Sequence, residues 1–199
     1  VYIVNRDYVD NAAAVAAAGA IPAELIRFNA WVSSVEELEA ARAMTAAFAN
    51  VYYILEDGCS IVLTEDIPEN CWYYVFDGST LTIPAGTTLN IGGGVTLADG
   101  SLVVEEDAVL NLTGGLVWQG EGTVTNKGVI KLYNGFIYAA DALTGHIANN
   151  GTISNYDSYI SDNIIISDDG VFEAIIIDET AALEVKIDRE YLTLVKGES

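Results

Sequence analysis

One dipeptide keeps time along the chain. Asp-Gly stands at Asp57-Gly58, Asp77-Gly78 and Asp99-Gly100, and Glu121-Gly122 continues it, at steps of 20, 22 and 22 residues. The same stride reaches Asp141 and Asp162. Cutting after each mark gives segments that start at Cys59, Ser79, Ser101, Thr123, Leu143 and Ile164, and these segments align. Leu81 and Ile83 fall over Leu102 and Val104, with Val124 and Ile147 further on. Leu89 and Ile91 fall over Leu110 and Leu112, then Ile130 and Leu132; Val95 and Leu97 fall over Leu116 and Trp118, then Phe136 and Tyr138.

A repeat of about 21 residues therefore carries three short alternating strands, parted by Gly or small polar residues such as Gly86, Gly94, Gly100, Gly115, Gly122, Gly128 and Gly135. Alternation sends every second side chain to one face. Three such strands closing on themselves make one coil with an apolar interior. A single coil cannot bury that interior, whereas stacked coils pairing in parallel can. The expected fold is mainly β: a parallel β-helix of about six coils, ~30 Å long at ~4.8 Å per rung. A β-sandwich of hairpins also shows many short strands, but it gives no reason for a 20–22-residue period or for Asp-Gly at one phase of it.

The stretch LTIPAGTTLNIGGGVTLADGSLVV resembles the repeats of right-handed parallel β-helix proteins on bacterial cell surfaces, in the pectate-lyase-like superfamily. VSSVEELEAARAMTAAFANVYYILEDGCSIVL, which precedes it, is similar to the helix and first strand that often lead into such domains. The resemblance covers about residues 33–170. It implies a right-handed solenoid and a secreted or surface setting, and carries little about activity. Ser33 with Glu36, or Ser34 with Glu37, reads as a capping box. Val35, Leu38, Ala41, Arg42 and Thr45 then follow at helical spacing with Phe48 closing the face, a helix suited to covering the open end of the solenoid. The expected organisation is an N-terminal helical segment and cap over 1–50 and the β-helix over 51–199, with NAAAVAAAGA (11–20) as a short Ala-rich helix and strands continuing through 171–195 as last coils or a closure. An opening Val1 is expected of a mature or trimmed chain.

Charge narrows the partners. Twenty-nine acids against 8 bases give −21, which repels nucleic acid and anionic membrane, and no apolar run is long enough to span a bilayer. Chemistry-bearing motifs are few. His146 is the only histidine and reads as an exposed turn residue; the Gly92–Gly94 run lacks a following helix and reads as a turn. Cys59 and Cys71 invite a disulfide in an extracellular setting, but sit near different corners of their coil; two small apolar thiols are the other reading. Asn90, Asn111, Asn134 and Asn155 recur at 21, 23 and 21 residues and read as a stacked amide ladder.

The superfamily contains polysaccharide lyases and glycoside hydrolases, so the resemblance keeps that alternative open. Lys127 and Lys131 are the only bases of the repeats and have no acid pair beside them in sequence, and no catalytic residue is assigned. Two binding features remain. Aromatics gather on the third strand, where Trp72, Tyr74, Trp118, Tyr138 and Tyr159 are candidate ligand contacts for a glycan or cell-surface polymer, or else an interior stack. The acids of the repeat mark, Asp57, Asp77, Asp99, Glu121, Asp141 and Asp162, would stack as a column that hard cations such as calcium could bridge, or are simply good turn residues. The expected function is a non-enzymatic extracellular or cell-surface module, either an adhesion or glycan binder or a spacer.

Overall fold

The computed structural model describes residues 2–4, 15–16, 19, 21–22, 25–46, 48–167, 169–178, 181–188 and 191–196, with side chains described from 15 to 175. The described residues form a parallel β-solenoid of about seven turns with an N-terminal helix at Val35–Thr45. The Ala-rich helix expected over 11–20 lies largely outside the described residues.

Strands β1 (Tyr2–Val4) and β2 (Ile26–Val32) come first, then helix α1 (Val35–Thr45) and β3 (Asn50–Leu55). The first repeat has β4 (Ser60–Val62) and β5 (Cys71–Val75). Four three-stranded coils follow: β6 (Thr80–Ile83), β7 (Thr88–Ile91) and β8 (Gly94–Leu97); β9 (Ser101–Val104), β10 (Val109–Leu112) and β11 (Gly115–Trp118); β12 (Thr123–Asn126), β13 (Val129–Tyr133) and β14 (Phe136–Ala139); β15 (Gly145–Asn149), β16 (Thr152–Tyr156) and β17 (Tyr159–Ile160). The stack ends with β18 (Ile164–Ser167), β19 (Val171–Asp178), β20 (Ala181–Asp188) and β21 (Tyr191–Lys196).

First strands of the coils form sheet B (β4-β6-β9-β12-β15-β18), second strands enter sheet C (β7-β10-β13-β16-β19-β20-β21), and third strands enter sheet A (β1-β2-β3-β5-β8-β11-β14-β17). All pairings are parallel except β19–β20 and β20–β21, which end the chain as an antiparallel extension of sheet C. The Asp-Gly mark finds six segments; the further turn comes from β2, whose IRFNAWV alternates buried and half-buried without any Gly phasing and pairs with β3.

The inward columns are those the repeat predicts in two sheets. Leu81, Leu102, Val124 and Ile147 stack in sheet B, and Leu89, Leu110 and Ile130 in sheet C. Sheet A corrects the alignment by one residue. Leu116 pairs with Ile137 and Trp118 with Ala139, so Phe136 and Tyr138 point outward. Between the matched positions Leu112 and Gly115 lie two residues, whereas between their partners Leu132 and Phe136 lie three, the last residue of β13 and a two-residue corner, and the extra residue reverses every side chain that follows. A large residue thus meets a small one, Trp118 over Ala139, and a side chain at Gly145 would collide with the Trp118 indole.

Helix α1 takes the place of first and second strands in its turn. Ser34 is its N-cap, accepting from Glu37 N–H at 3.2 Å, while the Glu37 carboxylate turns back to accept from Ser33 N–H and Oγ at 2.8 and 2.7 Å. Those bonds hold Glu37 below the usual carboxylate range. Its buried residues Leu38, Ala41 and Thr45 lie over the end of the solenoid, and Ile61, Leu63 and Ile67 of the first repeat are no more than 1% exposed. Arg42 ties the helix down, with Nε to Tyr73 Oη at 3.1 Å and an ion pair to Glu65 at 2.8 Å. Both cysteines are free thiols, Cys71 buried and Cys59 half-buried.

Candidate functional site: an aromatic outer face on sheet A

Sheet A presents two outward rows. Register places Asn29, Tyr52, Trp72, Gly94, Gly115, Phe136 and Tyr159 in one, and Trp31, Ile54, Tyr74, Thr96, Val117 and Tyr138 in the other. Trp72 and Tyr74 share this face because they flank inward Tyr73, which is 0% exposed. The three consecutive aromatics therefore split between core and surface as alternation requires.

The two glycines shape the centre of the face. A Cβ on Gly94 would stand 2.5 Å from Trp72 Cζ3, and one on Gly115 would stand 2.4 Å from Phe136 Cζ and 2.8 Å from Trp72 Cη2. The indole of Trp72 therefore lies down across Gly94 as far as Gly115, and the Phe136 ring leans back over Gly115 from the other side. The rings meet with centroids 6.4 Å apart at 37°. Gly94 and Gly115, which read as separators in the sequence, are strand residues whose missing side chains let two rings rest on the backbone. Trp72 stays half-buried and Phe136 is 37% exposed, so neither ring is consumed by the core.

Around this centre, Tyr52 and Tyr74 lie 5.5 Å apart, Tyr74 and Phe76 stack at 6.4 Å, and Arg27 sits 4.0 Å over the Tyr52 ring. Tyr138 Oη donates to Asp141 at 3.4 Å, and the Asp141 charge raises the phenol above its ordinary range. Tyr159, in register with Phe136, is 61% exposed at the far end. Of the five candidate contacts, four belong to this face: Trp72, Tyr74, Tyr138 and Tyr159. Trp118 does not. It is 0% exposed, its Nε1–H donates to Gly122 C=O at 2.7 Å, and it is a core residue. Phe136 was missed because fixed spacing put it inside.

The other faces differ in chemistry. Sheet B turns out Ser60, Thr80, Ser101 and Thr123 in one row and Val62, Thr82, Val103 and Thr125 in the next, with no ring among them. His146 continues the first row as an exposed residue of β15, in a strand and not in the turn expected for it. Sheet C carries Asn90 and Asn111, with Asn111 Nδ2 donating to Asn90 Oδ1 at 2.9 Å, and the pair is ended by Asp66, which accepts from Asn90 N–H and Nδ2. That ladder is shorter than expected, since Asn134 sits in a positive-φ corner and Asn155 pairs with Leu132. A second amide pair, unforeseen, is buried: Asn126 Nδ2 donates to Asn149 Oδ1 at 2.7 Å.

Six acids of the repeat mark are all exposed at the corner between sheets A and B. Only the first two are in strict register. Residues 56–59 lie under 76–79, with Gly58 N–H donating to Asp77 C=O at 3.0 Å, while the next corner holds only 98–100 and the one after 119–122. Asp99 accepts from the Glu121 N–H. Among the described residues no three His, Cys, Asp or Glu side chains gather as a metal-holding group.

A cleft of about 230 Å³ lies between α1 and the first repeat, lined by Arg42, Thr45, Tyr53, Glu65, Asp66 and Cys71 among others. Burial pushes Tyr53 up to about 12, partly opposed by the hydrogen bond it shares with Thr45, and raises the Cys71 thiol. A thiol held protonated is the reverse of an activated nucleophile. Lys127 pairs with Glu105 at 3.0 Å, and Lys131 stands in register between Asn111 and Ser154. Among the described residues no helix is long and apolar enough to cross a membrane. The chain matches no protein-family model, no curated protein and no solved structure.

Proposed function

We propose that this chain is a non-enzymatic extracellular or cell-surface module that binds a glycan through the outer face of sheet A. The observation that carries it is the pair Trp72 and Phe136, laid on Gly94 and Gly115, with Trp72 half-buried and Phe136 37% exposed. Sugar rings offer flat C–H faces, and an aromatic platform stacks on them without needing charge. Tyr74, Tyr138 and Tyr159 extend the contact surface and supply hydroxyls at its margin. The likeness of the repeats to right-handed β-helices of bacterial surface proteins supports the setting, and the solenoid itself supplies a rigid spacer. A screen of the purified chain on a glycan array tests the proposal, with the double variant Trp72→Ala, Tyr74→Ala as control. Glycan binding that the double variant loses while keeping the wild-type circular dichroism supports it. No binding to any glycan leaves the spacer role.

A further inference from the structure

We propose, resting on that reading, that the site takes a neutral, β-linked polysaccharide whose chain runs along the solenoid axis, and that Gly115 is the residue that sets the platform. Direction comes from the register. Trp72, Gly94, Gly115, Phe136 and Tyr159 form one unbroken outward row across five strands, perpendicular to the strands themselves. At ~4.8 Å per rung the row runs about 19 Å from Trp72 to Tyr159. Across the row, one strand offers only two outward positions, too narrow for more than a single ring. A chain lying along the axis can rest on Trp72 and Phe136 at the centre and reach Tyr159 at one end; a chain lying across it cannot.

The substrate class comes from charge. From β5 to β17 the outward residues of the face are Trp72, Tyr74, Gly94, Thr96, Gly115, Val117, Phe136, Tyr138 and Tyr159, and none is charged. The nearest ionisable group bonded to it is an acid, Asp141 on Tyr138. In a chain of net charge −21, uronic or sulfated polymers are repelled, and the nearby cation Arg27 lies outside this stretch, held 4.0 Å over the Tyr52 ring. Linkage follows from shape. β-linked pyranose chains are extended ribbons with apolar ring faces, and the row sets Trp72, Phe136 and Tyr159 in line to meet them, the first two rings inclined at 37° to each other.

Gly115 is a positioning residue. Each of the three atoms nearest a Cβ placed there belongs to an aromatic side chain, Phe136 or Trp72, so an added methyl displaces rings and leaves the backbone in place. Gly115→Ala therefore keeps every aromatic residue while lifting two of them off their floor.

The test is calorimetric titration of the whole chain with linear β-1,4-glucose and N-acetylglucosamine oligomers of increasing length, and with uronic acid oligomers of matched length. Affinity for neutral oligomers is expected to rise until the chain spans about 19 Å and then level off. Gly115→Ala and Phe136→Ala are each expected to weaken binding about tenfold, the loss of one well-placed ring contact. Tyr159→Ala, at an exposed position at one end of the row, is expected to weaken long oligomers more than disaccharides. Neutral-chain binding that is indifferent to length and to Gly115→Ala would overturn the axial platform while leaving glycan binding standing. Uronic oligomers binding as well as neutral ones would overturn the substrate class. No binding to any of these oligomers would overturn this inference, and the glycan array decides separately whether glycan binding itself stands.

Discussion

Trp118→Ala and Trp72→Ala make the same change on opposite faces of sheet A, and they should behave differently. Trp118 is 0% exposed, stacked between Leu97 and Ala139, and its indole N–H is bonded to Gly122 C=O. Removing the ring loses its transfer free energy and leaves a cavity, about 3–5 kcal/mol. Gly122 C=O also loses a donor, about 1 kcal/mol. In a chain of 199 residues each kcal/mol lowers Tm by roughly 2–4 °C. Trp118→Ala should therefore melt about 8–24 °C below wild type. Trp72 is half-buried and rests on two glycines, so its removal loses about 1–2 kcal/mol of apolar cover and roughly 2–8 °C. The assay is thermal and urea unfolding followed by far-ultraviolet circular dichroism, with equal urea slopes required for the comparison. A Trp72→Ala loss as large as that of Trp118→Ala would mean that the ring at 72 is core, and the open platform would fall. A mild Trp118→Ala would mean that β11 has the opposite phase.

The solenoid was legible because its two signals are local. Alternation of apolar residues and an Asp-Gly mark every 20–22 residues survive in any single coil, and both point to stacking. What was not legible is the spacing between matched strand positions. One residue more between Leu132 and Phe136 than between Leu112 and Gly115 leaves the repeat spacing looking regular while reversing Phe136 and Tyr138. The same blindness made Trp118 and Trp72 look alike: both are third-strand tryptophans, and only parity within the strand separates core from surface. Gly94 and Gly115 carried a usable signal, one glycine on each of two neighbouring rungs with a large ring on the rungs to either side. Read as punctuation, they hid the platform. At the C-terminus the loss of Gly phasing marked where coils end, but the antiparallel turn of β20 and β21 depends on pairing across the whole segment, which a strand pattern does not reveal.

Parity can be tested in sheet B as well. Leu102→Asp puts an unpaired carboxylate at a site 1% exposed and should unfold the chain, whereas Val103→Asp, outward between Thr82 and Thr125, should cost less than about 1 kcal/mol by urea midpoint. Burial raises Tyr53, to about 12, and Tyr73, with Thr45 and Arg42 only partly opposing it. Since both folded values exceed the ordinary phenol value of ~10, their contribution is intact below pH ~10 and falls by about 1.4 kcal/mol per pH unit per phenol from there up to each folded value, about 12 for Tyr53; absorbance at 295 nm should show these two tyrosines titrating only as the chain unfolds, and Tyr53→Phe with Tyr73→Phe should remove that coupling. Salt tests the acidic corner. Carboxylates one rung apart, at ~5 Å, repel by about 1 kcal/mol in water. Only Asp57 and Asp77 sit in strict register, Asp99 is taken up by the Glu121 N–H and Asp141 by Tyr138, so the side chains do not converge as an ion would need. Tm in millimolar calcium should therefore match Tm in sodium chloride of equal ionic strength, both being raised by screening alone. A further rise that calcium gives, sodium does not and EDTA abolishes would instead place ions between the rungs, stabilising the folded chain by mass action, with Asp57 and Asp77 as the first pair to remove.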